Sequence, residues 1–100
     1  MSDLRDMLPT DRGFVVDSWA KSARRKWKAL TKDERYARAA RLVNASRVVV
    51  LGGANGFIAA WAAASGGKLQ YVYVAKNLRG FGLARKVIDA ALERSRKEAA

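Results

Sequence analysis

The chain has 100 residues, half of them hydrophobic, with one proline and neither cysteine nor histidine. That suits a single folded domain with a modest core, and it excludes disulfides, zinc sites built on Cys or His, cysteine nucleophiles and Ser-His triads. The net charge is +11, and residues 12 to 47 hold eleven Lys or Arg against Asp17, Asp33 and Glu34; the expectation is either a solvated pair of basic helices or a face for an anionic partner, meaning nucleic acid, an acidic protein or a phosphorylated cofactor.

No apolar run approaches the roughly 20 residues of a membrane span, so no membrane contact is expected. The start, "MSDLRDMLPTDRG", is polar and acidic rather than a secretory signal, which points to a cytoplasmic protein. The nine acids are scattered, so no metal site is expected. Proton transfer would have to use Asp, Glu, Lys, Tyr or water.

Residues 1 to 10 read as a flexible arm and residues 11 to 100 as one domain. Pro9-Thr10-Asp11 offers a helix entry. Val16, Trp19, Ala20, Ala23, Trp27 and Leu30 then follow helical spacing, with Asp17, Lys21, Arg24, Arg25 and Lys28 on the opposite face. "TKDE", residues 31 to 34, is a capping box and predicts a second helix from Lys32 that fades at Asn44 to Ser46. Arg35, Arg38 and Arg41 mark its basic side and are candidate partner-binding residues.

The pattern then changes to strands. "RVVVL" (47 to 51) is β-branched, and Asn55-Gly56 signals a hairpin turn. "FIAAWAAA" (57 to 64) has helix-favouring alanines, but its place between glycine turns argues for a strand. "KLQYVYV" (68 to 74) is the clearest strand, with Leu69, Tyr71 and Tyr73 on one face and Val72 and Val74 on the other. A last helix from about Gly80 to Lys97 carries an apolar stripe of Ala84, Val87, Ile88, Ala91 and Leu92. The predicted class is α+β in the order α-α-β-β-β-α, with a three-stranded antiparallel meander covered by helices.

The turn between the last strand and the last helix is rich in glycine. A helix N-terminus presents unpaired amides and a partial positive charge, and glycines let a phosphate approach them. Arg79-Gly80-Phe81-Gly82-Leu83-Ala84 resembles the Arg/Gln-x-x-Gly-x-Gly/Ala signature of the Gcn5-related N-acetyltransferase (GNAT) superfamily. In that family the backbone amides of this loop hold the diphosphate of acetyl-coenzyme A. The strand before it lines the pantetheine arm, and here that strand ends at Val74. Family members often have proline where this chain has Lys76, a departure from the pattern. Residues 13 to 24 look like the first helix of GNAT-like proteins from bacteriophage genomes, which would place the chain in a host cytoplasm.

The resemblance covers about residues 11 to 98. Family members continue with a fifth strand and further elements, among them the tyrosine that many use as general acid. The expectation is therefore a partial GNAT fold lacking the C-terminal strands, and Tyr71 and Tyr73 are not assigned that tyrosine's role. Two functions follow from the resemblance. One is an acetyl-coenzyme A-binding protein, with N-acetyl transfer to an amine of a protein or small molecule. The alternative is a catalytically inactive phage protein that binds and inhibits a host protein or nucleic-acid complex. Without a fifth strand, residues 68 to 74 would form an open sheet edge. A homodimer through that edge is expected, its second copy supplying a wall beside Val74 that would complete the coenzyme cleft for acetyl transfer, with the N-terminal arm or a host protein as other covers.

Overall fold

A computed structural model describes residues 3–52 and 57–99; the Asn55-Gly56 turn lies outside the described residues. The elements are β1 (Asp3–Asp6), α1 (Arg12–Ser22), α2 (Lys32–Ala45), β2 (Arg47–Gly52), β3 (Ile58–Ser65), β4 (Lys68–Val74) and α3 (Leu83–Ala99). The strands form one antiparallel sheet in the order β1-β2-β3-β4. The class is α+β, as predicted, with a fourth strand added at the front. Among the described residues no helix is long and apolar enough to cross a membrane.

The two faces of the sheet carry separate cores. Val48, Val50, Trp61 and Ala63 pack with Val15, Val16 and Trp19 of α1 and with Ala39 and Val43 of α2. Val49, Leu51, Ala60, Ala62 and Ala64 pack on the other side with Val87, Ala90 and Ala91 of α3. The alanines of β3 explain themselves here. β3 is central and covered on both faces, and Ala60, Ala62, Ala63 and Ala64 are all fully buried. Small side chains on β3 and α3 let sheet and helix approach closely.

Three expectations need correction. Asp3–Asp6 is a strand paired with β2, with Leu4 opposite Leu51, and not part of a loose arm. Polar anchors hold it: the Arg5 guanidinium donates to both oxygens of Asp11 (3.0 and 3.2 Å), the Leu8 amide donates to Asp11 (2.9 Å), and Arg94 pairs with Asp6 (2.8 Å). β1 lies on the sheet edge opposite β4, so the arm does not cover β4.

The first helix stops at Ser22, and residues 23 to 29 form irregular turns. Lys21, Arg24, Arg25 and Lys28 would stack like charges at three- and four-residue spacing, which opposes helix. Trp27 is still buried, its amide donating to the Ala23 carbonyl (2.9 Å).

The β3–β4 register slips between Ala63, opposite Tyr71, and Ala64, opposite Leu69. Gln70 is the extra residue of a bulge. Leu69 therefore shares the face of Ala64, away from Tyr71 and Tyr73.

The basic side of α2 also has contacts within the chain. The Arg35 guanidinium donates to the Leu30 carbonyl (2.8 Å), and Arg38 lies 5.6 Å over the Trp27 ring. Two of the three candidate partner-binding arginines thus also fasten the 23–30 segment onto α2.

The capping box forms as predicted: the Glu34 amide donates to Thr31 Oγ1 (3.2 Å), and the Thr31 amide donates to Glu34 Oε1 (2.8 Å). α1 and α2 are clasped by the Tyr36 hydroxyl donating to Asp17, which also pairs with Lys21 (3.1 Å). The Tyr36 hydrogen bond, and secondarily Lys21, hold the Asp17 carboxyl below its usual range. A depressed folded pKa contributes stability above the unfolded value and loses it as pH falls through the folded one. The clasp should accordingly be complete above about pH 4 and loosen below it. Near-UV circular dichroism during acid titration should report that loosening, and Asp17→Asn should remove this part of the response.

Candidate functional site

β4 is the edge strand on which the site is built. The Ala75 amide donates to the Ala59 carbonyl (2.8 Å), and Trp61 sits opposite Tyr73. Because peptide groups alternate along a strand, those of Val72 and Val74 point the other way, away from β3, at an edge that no other strand pairs with among the described residues. Past Val74 the chain makes a 3-10 turn over Lys76–Leu78. The Arg79 Nε then donates back to the Val74 carbonyl (3.2 Å). At this end of β4 the acceptor is capped by a guanidinium and the Val74 N–H is left as a donor.

The turn that follows is open and rich in backbone donors. Gly80 and Gly82 have φ of 92° and 77°, a left-handed backbone that favours glycine. A β-carbon built at either would meet nothing within 4 Å, so the space in front of them is open. α3 begins at Leu83, and its first amides have no acceptor within the helix. Among the described residues no other backbone carbonyl takes them. Leu83 and Ala84 are half-buried, while Arg79, Gly80, Phe81 and Gly82 are exposed. Phe81 is 72% exposed at the rim of the turn. Unpaired amides at the positive end of a 17-residue helix, with no side chain in front of them, make a site for an oxyanion such as phosphate.

A groove of about 440 Å³ runs along β4 as far as Arg79, lined by Ser22, Tyr71, Val72, Tyr73, Val74 and Arg79. The structure thus brings Val74 and Arg79 together in one cleft, as the sequence motif implies. Arg79 differs in detail: its side chain folds back onto Val74 and so closes the turn as well as charging it. Ser22 was not foreseen. It is a lone serine at the end of α1, with no pattern around it to mark it.

The sequence profile of the Acetyltransferase (GNAT) family matches residues 2–100. The chain belongs to the GNAT acetyltransferase family. GNAT structures share its fold at low identity. An aminoglycoside N-acetyltransferase solved in complex with CoA is 16% identical with a TM-score of 0.64, over 100% of this chain and 72% of its own. A Gcn5-related N-acetyltransferase from Rhodopseudomonas palustris is 16% identical with a TM-score of 0.68, over 100% and 69%. A GNAT family acetyltransferase from Brucella melitensis, solved with acetyl-CoA, is 21% identical with a TM-score of 0.65, over 100% and 71%. No curated protein sequence matches significantly.

Within this GNAT fold Tyr71 and Tyr73 are held by an aromatic layer. Tyr71 stacks on Trp19 at 5.4 Å between ring centres, and Tyr73 stacks on Trp61 at 6.2 Å with Phe14 edge-on at 5.7 Å. Both rings are half-buried, and both residues line the groove. They shape its wall.

Proposed function

We propose that the chain binds acetyl-coenzyme A and serves N-acetyl transfer to an amine. The observation that carries this reading is the open Gly80–Gly82 turn next to Arg79, whose side chain joins the Val74 carbonyl and lines one groove with Val74. When bound, the coenzyme supplies an acetyl group activated as a thioester. Amides of residues 80 to 84 would hold its diphosphate, and the edge of β4 at Val72 would take an amide group of its pantetheine arm. The Val74 N–H is the donor placed to polarise the acetyl carbonyl, and one preorganised donor of that kind is worth about 10²–10³ in rate. Arg79, by capping the Val74 carbonyl, removes the acceptor that would oppose negative charge there. Orientation of the reacting groups supplies the rest. An amine needs no nucleophilic side chain as intermediary, which agrees with a chain without cysteine or histidine.

Calorimetric titration with acetyl-coenzyme A tests the reading. Saturable binding that coenzyme A shares and free acetate does not is the expected outcome; no binding of either coenzyme form would overturn it.

The same edge bears on assembly. A second copy docking along Lys68–Val74 would use the Val72 and Val74 groups that the coenzyme needs, so dimer and coenzyme would compete. Light scattering of the coenzyme-free protein should then give about twice the 11.0 kDa of one chain. Acetyl-coenzyme A should lower that mass, and Val72→Lys should abolish the dimer. A single-chain mass without coenzyme would remove the dimer.

A further inference from the structure

Residues 21 to 41 hold nine lysines and arginines against Asp33 and Glu34, so seven of the eleven net positive charges lie in this one stretch. The charge is a face, not an even coat. The two acids do not cancel it. Both stand in the first turn of α2, where carboxylates answer the helix dipole, and Glu34 is held by the Thr31 amide (2.8 Å). Arg24, Arg25, Lys26, Lys28 and Arg41 are exposed and make no ion pair among the described residues. Like charges crowded in this way repel one another and cost stability until a polyanion neutralises them.

Four shallow clefts join the cations into a belt. Arg24, Arg25 and Lys28 line one of about 410 Å³. Arg24 continues into a second, of about 270 Å³, with Lys21, Lys32 and Arg35. Arg38 stands between a cleft it shares with Arg41 (about 250 Å³) and one it shares with Lys26 (about 180 Å³). α2 carries part of the belt and stands proud of the sheet: of its 14 residues the buried ones are Ala39 and Val43. None of these cations lines the groove that holds Val74 and Arg79.

We infer that this belt is a second binding face, separate from the coenzyme groove, and that it takes the phosphate backbone of double-stranded DNA. The inference does not depend on the acetyl-coenzyme A reading. A protein partner would need an apolar centre to the interface. Among the described residues the large exposed hydrophobics are Leu4, Leu8, Phe14, Phe57, Leu69 and Phe81, and none lies between residues 21 and 41. Interfaces with DNA are more polar and far more positive, as this face is. A single strand would need exposed aromatic rings on which to stack its bases; Trp27, the tryptophan of this stretch, is 8% exposed. A duplex asks only for a row of cations, because it presents a regular row of phosphates. A helix as exposed as α2 also fits a major groove about 12 Å wide, whereas the major groove of duplex RNA is too narrow for it. The contacts would be to the backbone, so binding would carry little sequence preference.

The test is fluorescence anisotropy of the full chain with a labelled DNA duplex of random sequence. Between about 50 and 200 mM salt the affinity should fall about a hundredfold, a log–log slope of about −4, from about four or five phosphate contacts. Arg25→Gln, Lys28→Gln and Arg41→Gln together should weaken binding by about a hundredfold and flatten the slope by about three. Arg85→Gln, Lys86→Gln and Lys97→Gln remove the same charge from α3 and should change affinity by less than about threefold, a long-range effect only. Both variants should melt close to wild type, because exposed charges contribute little. Equal losses in the two variants would overturn the inference, since net charge alone would then explain binding. No binding by wild type, or a slope flatter than about −1, would overturn it as well. So would polyglutamate of equal charge that binds as tightly as the duplex, which would mark a face for acidic proteins. A single strand or an RNA duplex that binds more tightly than the DNA duplex would also defeat it. Displacement of the DNA by acetyl-coenzyme A would place it in the coenzyme groove and defeat the separate face. The wild-type measurements decide the matter whether or not a variant folds.

Discussion

Gly82→Glu should lower affinity for acetyl-coenzyme A by about a hundredfold or more, roughly 2.8 kcal/mol. The new carboxylate would lie in front of the first amides of α3, where it would both satisfy those donors and repel a diphosphate. The fold should survive. A β-carbon at this position meets nothing within 4 Å, but φ is +77°, so a non-glycine residue there costs on the order of 1 kcal/mol in backbone strain. Gly82→Ala carries the same strain without the charge. It should show the same modest drop in melting temperature with a much smaller loss of affinity. Titration calorimetry and thermal unfolding of the two variants separate charge from strain. If both variants bind like wild type, the turn holds no phosphate.

Trp61→Ala should be the most damaging single change to the fold. Trp61 is fully buried on the central strand β3, with Trp19 at 5.4 Å and Tyr71 at 5.7 Å between ring centres. Its indole N–H donates to the Ser18 hydroxyl of α1 (2.8 Å). Removing a buried tryptophan costs about 3–5 kcal/mol, a large share of the roughly 5–15 kcal/mol available to a small domain. Urea denaturation should show a midpoint lowered to near zero denaturant, or no cooperative transition. Trp61→Phe keeps a ring and loses the hydrogen bond, so a milder cost of about 1–2 kcal/mol is expected. Because Tyr71 and Tyr73 lean on Trp61 and line the groove, the loss would reach the site through packing.

The features legible in the sequence are those with local causes. Thr31 and Glu34 satisfy each other within one turn, so the start of α2 is written in four residues. The Arg79–Ala84 turn is legible for the same reason, because its glycines answer a backbone requirement at their own positions. The missed features depend on distant partners. "DLRD" at residues 3 to 6 has no apolar alternation; it becomes β1 where β2 pairs with it, Arg5 donates to Asp11 and Arg94 donates to Asp6. The helix stop at Ser22 is a sum of repulsions that apolar spacing ignores. The Gln70 bulge, which moves Leu69 to the other face, is set by how β4 meets β3. The contacts of Arg35 and Arg38 with the 23–30 segment were not legible, because the turn they hold is not predictable from their own helix.

Amide NMR of labelled protein titrated with acetyl-coenzyme A tests the central claim most directly. The account predicts the largest shift changes at Gly80 to Ala84, together with Val72 and Val74, and small changes on α2 and β1. Binding that leaves residues 80 to 84 unmoved, with its largest changes elsewhere, would contradict it.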